Sequence, residues 1–140
     1  MDLAAALSFI GPRHQGVLTS TRANGRPQLS NIVYQLGDDQ VARISVTDDR
    51  AKTKNLRRDP RASLYVVGDT FWSYAVLEGE AELLPVASDP NDETVDELVA
   101  LYRAIQGEHP DWEEYRRDMV ANRRLVVRLR FDHAYGMVSG

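Results

Sequence analysis

Asp48-Asp49-Arg50-Ala51-Lys52-Thr53-Lys54-Asn55-Leu56-Arg57-Arg58-Asp59-Pro60, entered from the apolar run Val41-Ala42-Arg43-Ile44-Ser45-Val46, is the stretch around which the chain is arranged. A β-rich run leads directly into a helix dense in cations, within a chain whose formal net charge is −4. The segment holds the only two lysines, Lys52 and Lys54. Asp48 or Asp49 is expected to cap the helix, and Asp59-Pro60 to stop it, because the residue before proline avoids the α region. Amide groups at a helix start, with cations in the first turn, form an anion site.

At 3.6 residues per turn, Arg50, Lys54, Arg57 and Arg58 share one face, flanked by Ala51 and Thr53. Lys52 falls on the opposite face with Asn55 and Leu56, and Leu56 points to the core. A lysine there either snorkels to water or meets an anion that offsets its desolvation. The expected cap and Arg50 alongside favour the anion.

Outward from this stretch, the pattern is one of short strands. Leu3 to Ile10 reads as a helix ended by Gly11-Pro12. Gln15 to Thr21 and Pro27 to Gln35 read as a hairpin around Asn24-Gly25, a strong turn signal. Leu36 to Gln40 is a second turn, and Val41 to Thr47 a third strand. Arg61 to Gly68 and Phe71 to Leu84 follow as strands. In the latter, Glu78, Glu80 and Glu82 alternate with Leu77, Gly79, Ala81 and Leu83, with Gly79 a candidate bulge. Pro85 to Asn91 is a loop. Asp92 to Gly107 is an amphipathic helix with Val95, Leu98, Val99, Tyr102 and Ile105 on one stripe. A further helix is capped by Asp111 and turns Trp112, Tyr115 and Met119 inward. Arg123 to Val138 is the last strand. This order predicts one domain over residues 1–140, of class α+β: a mostly antiparallel barrel with flanking helices.

Composition narrows the function. The chain has 140 residues, 43% hydrophobic and 27% charged, and no cysteine. That excludes a disulfide framework, a thiolate metal site and a cysteine nucleophile. No apolar run approaches a membrane span, and Met1-Asp2-Leu3 lacks the basic region of a secretory signal, so the expectation is a cytoplasmic protein without membrane contact. The acidic balance speaks against nucleic-acid binding, the cationic cluster being short and local. His14, His109 and His133 lack metal-ligand spacing, and no metal is expected. Ser8, Ser20 and Ser73 lack a nucleophile elbow.

Three segments in this order and spacing, Gly25-Arg26-Pro27-Gln28-Leu29-Ser30-Asn31, Arg50 to Pro60, and Trp72-Ser73-Tyr74-Ala75-Val76 with Glu78-Gly79, resemble the split β-barrel flavin and deazaflavin oxidoreductases. Their superfamily is that of pyridoxamine 5′-phosphate oxidase, and the match is closer to the branch that binds coenzyme F420, a 5-deazaflavin. The resemblance covers almost the whole chain, including the helical pair and the ending His133-Ala134-Tyr135-Gly136. It implies a homodimer with cofactor sites at the subunit interface. It places the cofactor phosphate at Arg50 and Lys52, with Asn55 on the same helix. Gln28, Ser30 and Asn31 would meet the ring system, Ser45 and Thr47 would line the groove, and Trp72 and Tyr74 would lie near it, from the partner subunit or the same one. Two departures point away from a vitamin B6 reaction. Ala51 separates Arg50 from Lys52 where the oxidases have an adjacent basic pair, and the sequence ends at Gly140 without the longer region that helps hold pyridoxal there.

The implied activity is hydride transfer from reduced coenzyme F420 to a small conjugated organic acceptor. An FMN-dependent oxidoreductase and a non-catalytic F420- or flavin-binding protein are the alternatives. In the two enzymatic cases the cofactor ring carries the redox chemistry, so no catalytic dyad is required, and the same lack suits a protein that merely carries a cofactor. For a cofactor longer than FMN, Lys54, Arg57, Arg58 and Arg61 are expected to form a second bank of charge beyond the phosphate.

Overall fold

The computed structural model describes residues 1–138. In chain order these form α1 (Leu3–Ile10), β1 (Gln15–Thr21), β2 (Pro27–Val33), β3 (Gln35–Leu36), β4 (Ala42–Thr47), α2 (Ala51–Arg58), β5 (Arg61–Val67), β6 (Tyr74–Leu83), α3 (Glu93–Gln106), α4 (Trp112–Ala121) and β7 (Arg124–Met137). The strands make one sheet in the order β2-β1-β5-β6-β7-β4-β3, antiparallel throughout and curled into a half-barrel.

Local chemistry explains most of these elements. Asp2, Asp92 and Asp111 cap α1, α3 and α4 by accepting from the amides of Ala5, Val95 and Glu114. The β1–β2 turn closes through Arg22 N–H to Arg26 O at 2.8 Å, with Gly25 at φ 84°. An L side chain is strained at that φ, so the turn selects glycine. In β6, the register against β7 slips between Glu78 and Gly79, so Glu78 faces His133 and Gly79 faces Phe131. A Cβ at Gly79 would run into the Arg130 carbonyl. The expected bulge is present, and it lets two long strands bend around the core.

Three expected elements differ. The strand expected from Pro27 to Gln35 is interrupted at Tyr34, whose buried hydroxyl donates to Ile10 O at 2.7 Å, and pairing resumes in the short β3. The strand expected from Phe71 begins instead at Tyr74. Residues 68–73 form a tight turn closed by Gly68 N–H to Ser73 O at 2.6 Å, which leaves Phe71 and Trp72 in solvent. The third difference is the cap of α2. Its N-cap residue is Arg50, in extended conformation, and no side chain caps the helix.

The main core fills the concave side of the sheet, with Leu18, Ile44, Leu64, Leu77, Leu125 and Leu129 against Ala6, Leu7 and Ile10 of α1. A second cluster lies under α3 and α4, where Val95, Leu98, Val99, Tyr115 and Met119 meet Val126 of β7. Glu97 of α3 ties this layer to the sheet, accepting from Arg43 Nε at 2.7 Å and Arg128 Nη2 at 2.9 Å. The four-helix, seven-strand arrangement is the α+β split barrel expected from the sequence. Among the described residues no helix is long and apolar enough to cross a membrane.

Candidate functional site

The end of β4 and the start of α2 are joined by three side chains with separate tasks. Thr53, fully buried, donates its hydroxyl to Thr47 O at 2.8 Å and draws the first turn of the helix onto the strand. Thr53 thus points inward, where the helical wheel had it flanking the exposed face. Asp49 accepts from the Thr47 hydroxyl at 2.7 Å. Asp48 accepts from Arg57 at 2.6 Å and from Arg123 at 2.9 Å, which lowers its pKa, the Arg123 contact foremost. These bonds engage both carboxylates expected as caps. Elsewhere the orphan amides of a helix start are answered by an aspartate; at α2 no side chain answers them.

The cations around this junction divide sharply by partner. Arg57 pairs with Asp48, and Arg61 pairs with Asp59 at 2.8 Å. Arg58 donates to Thr21 O and to Asn55 Oδ1. Of the expected second bank of charge, then, only Lys54 forms no salt bridge or side-chain hydrogen bond among the described residues, and Asp49 feels its charge. By contrast, none of Arg50, Lys52 and Arg124 pairs with a carboxylate among the described residues. Burial lowers the pKa of Lys52, and the like charges of Arg50 and Arg124 lower it further. A lysine disfavoured by burial and by neighbouring like charge, beside uncapped amides, is disposed to receive an anion.

Two grooves meet at these cations. The first, about 410 Å³, lies where β2 and β4 face α2, α3 and α4. Asn31, Ser45, Lys52 and Arg124 give it polar groups, and Ile44, Tyr102, Ile105, Tyr115 and Met119 give it apolar walls. Tyr115 donates to Leu98 O at 3.0 Å, and burial pushes its hydroxyl up to about 12, so it stays neutral. The second groove, about 680 Å³, is polar and lined by Thr47, Asp49, Arg50, Ala51, Asn122 and Arg124. Arg124 belongs to both.

Of the residues singled out from the sequence, Asn31, Ser45 and Lys52 come together in the first groove, and Thr47 and Arg50 line the second. Gln28 and Ser30 alternate with Asn31 on β2 and so face the other side of that strand. Asn55 is buried and donates to Ser20 Oγ at 3.2 Å, tying α2 to β1. Tyr74 packs on Tyr65 with ring centroids 5.8 Å apart on the convex face, and Trp72 is exposed next to Phe71. Neither lines the two grooves within this chain. His133 sits exposed, 3.8 Å from Glu78, away from both grooves. The sequence reading passed over Arg124, Asn122 and the groove-facing role of the tyrosines. Arg124 reaches Ser45 across 79 residues of sequence, so only strand pairing reveals it.

A curled antiparallel half-barrel with an apolar groove opening onto Arg50, Lys52 and Arg124 defines a split-barrel protein. The chain belongs to the pyridoxamine 5′-phosphate oxidase family, whose model matches residues 3–137. That family binds flavin-like cofactors and includes oxidoreductases. Among solved structures, a conserved hypothetical protein from Mycobacterium tuberculosis is similar at 23% identity and TM-score 0.72, covering 100% of this chain and 93% of that one. An F420 reductase is similar at 22% identity and TM-score 0.64, covering 91% and 94%. A heme storage protein from Vibrio cholerae is similar at 13% identity and TM-score 0.69, covering 96% and 93%. At these identities the likeness is one of fold.

Proposed function

We propose that this protein is an oxidoreductase that binds reduced coenzyme F420 and passes a hydride to a small conjugated organic acceptor. The observation that carries the reading is the trio Arg50, Lys52 and Arg124, which forms no salt bridge among the described residues, although Asp49 lies near Arg50, at the mouth of a groove walled by tyrosines and aliphatic side chains. In this reading the trio and the open amides of α2 hold the cofactor phosphate. Asn31 and Ser45 orient the ring system, and Tyr102, Ile105, Tyr115 and Met119 keep water from it. Bound there, the reduced deazaflavin supplies the hydride. The protein's part is to bind, orient and shield, which agrees with the lack of an acid–base dyad among the groove-lining residues.

The convex face of the sheet supports the homodimer. Leu29, Val33, Val67, Tyr135 and Met137 are all exposed, and Leu29, Val33 and Val67 share that face with Val17, Tyr65 and Val76 by the strand registers. Exposed apolar side chains gathered on one sheet face mark a surface suited to a partner. We propose that a second copy covers it, with Trp72 and Tyr74 near the site of one copy or the other. The reading of a heme carrier is less favoured, because no histidine lines either groove. An FMN-dependent enzyme remains the runner-up, since a terminal phosphate also satisfies the trio.

The test is to follow oxidation of reduced coenzyme F420 by absorbance, with a panel of quinones and enones, for wild type and Lys52→Ala. The expected result is acceptor-dependent oxidation above the protein-free rate, diminished by the substitution. Tight cofactor binding without oxidation by any acceptor would leave the carrier alternative in its place.

A further inference from the structure

Tyr102 lies at the centre of a group of rings, with His109 at 5.2 Å, Trp112 at 5.7 Å and Tyr115 at 5.1 Å between centroids. Two segments build the group. Tyr102 continues the apolar stripe of α3 begun by Leu98 and Val99, and Gly107, at φ 81°, turns the chain so that α4 sets Trp112 and Tyr115 against it. Glu108 pins this turn, accepting from Trp112 Nε1 at 2.9 Å and from Arg103 at 2.8 Å, while the Arg103 guanidinium lies 4.9 Å over the Trp112 ring. Tilted and edge-on ring contacts of this kind fix the position of the central ring. Tyr102 is therefore held by its ring, and its hydroxyl makes no hydrogen bond among the described residues. The side chain is half-buried on the wall of the first groove.

A neutral acceptor that takes a hydride also needs a proton, and the groove offers few sources. Tyr115 spends its hydroxyl on Leu98 O, and burial pushes it up to about 12. The Ser45 hydroxyl accepts from Arg124 and is a far weaker acid than a phenol. Asn31 and Gln106 offer only neutral amides. Lys52 and Arg124 hold the phosphate in the cofactor reading. Tyr102 remains, a phenol on the groove wall with its O–H uncommitted. Tyr115 feels both Tyr102 and Arg124, which sets a guanidinium near this pair of hydroxyls. A cation nearby favours the phenolate that proton loss leaves behind.

We propose that Tyr102 is the proton donor for reduction of the acceptor, a catalytic residue that hydrogen-bonds the acceptor's carbonyl oxygen. With an enone, the hydride supplied by the reduced deazaflavin forms a C–H bond at the β-carbon. The C=C pair shifts toward the carbonyl carbon, and the C=O pair moves onto oxygen. That oxygen takes the proton of the Tyr102 hydroxyl. The enol so formed rearranges in water to the saturated ketone, and the phenolate regains its proton from solvent at the groove mouth. The acceptor gains one hydride and one proton, and the deazaflavin is oxidised by two electrons. The acceptors this arrangement serves are neutral conjugated carbonyl compounds, whose oxygen becomes basic as the hydride arrives.

The inference rests on the hydride-transfer reading, and its test separates the two. Oxidation of reduced coenzyme F420 is followed for wild type and Tyr102→Phe with the enone or quinone that wild type reduces fastest, and coenzyme affinity is measured by fluorescence. Tyr102→Phe should lower kcat by about a hundredfold or more, within the range of general acid catalysis, and leave the coenzyme Kd unchanged. A second readout needs no turnover. The p-nitrophenolate anion carries charge on an oxygen, as the reduced acceptor does before protonation, and p-nitroanisole has the same ring without the charge. Both are titrated by absorbance onto protein loaded with oxidised coenzyme. Tyr102→Phe should bind the phenolate about tenfold or more weaker than wild type, for loss of a charge-assisted hydrogen bond, and the anisole equally well. An unchanged kcat, equal weakening of both probes, or weakening of neither overturns the donor role and leaves the hydride-transfer reading in place. A wild type that reduces no acceptor removes the hydride-transfer reading itself, and the donor role with it.

Discussion

Two effects disfavour the charge on Lys52: packing on the Leu56 side of α2 costs it hydration, and Arg50 and Arg124 repel it. An anion answers both. Lys52→Ala is expected to weaken phosphate-bearing cofactor by roughly 1.5–3 kcal/mol, the range for hydrogen bonds to charged groups, measured by fluorescence titration. Equal affinities would remove Lys52 from the site. The pH dependence follows from the same contacts. The pKa of Lys52 in the free protein lies below the ordinary lysine value, and a bound phosphate raises it. Binding therefore takes up a proton once the pH exceeds the free-protein pKa. Affinity should be flat below that pKa and fall as pH rises through it, whereas Lys52→Arg stays flat across the same window. Parallel profiles for the two proteins would contradict this. Lys52 was legible in the sequence because the helical period alone sets a cation beside Leu56. Arg124 was not, because its placement depends on β4 meeting β7.

At the scale of elements, helix caps show where local signals suffice. Asp111 caps α4 as its position predicts, and Asp92, where the third helix was expected to begin, caps α3. Asp48 and Asp49 stand just as well for α2, yet Arg57, Arg123 and Thr47 claim their carboxylates. Charge partners brought in by the tertiary fold override the local preference, and nothing near residue 48 announces Arg123. Alternation of glutamates with Leu77, Ala81 and Leu83 marked β6, and Gly79 was legible as its bulge because a strand interior otherwise avoids glycine. Gly79→Ala should destabilise the protein by about 1–3 kcal/mol, since its Cβ forces the Arg130 backbone to move. Chemical denaturation reads this directly, and an unchanged midpoint would mean the bulge can relax at no cost. Phe71 and Trp72 misled the strand assignment: aromatic residues favour strands, but the turn closed at Gly68 and Ser73 begins the pairing only at Tyr74.

For the whole molecule, the antiparallel barrel was readable from strand lengths and turns, but the division of its two faces needed the registers. The apolar convex face predicts that the protein sediments as a dimer at micromolar concentration. Val33→Asp with Val67→Asp, both exposed in the single chain, should shift it to monomer without loss of fold by circular dichroism. A wild-type monomer would remove the interfacial site from the account. The choice of cofactor belongs to the same scale, since it depends on how the two grooves join. FMN ends at its phosphate, while coenzyme F420 continues through a phosphodiester into an acidic glutamyl tail. Attraction between that tail and the cations reaches about 8 Å at physiological ionic strength, so salt weakens it. The most direct measurement is a side-by-side titration of coenzyme F420 and FMN into the wild-type protein at two salt concentrations. The deazaflavin should bind about tenfold tighter or more, a difference of about 1.4 kcal/mol, with the wider margin at low salt. Tighter binding of FMN at both concentrations would contradict the assignment and leave a flavin enzyme on the same barrel.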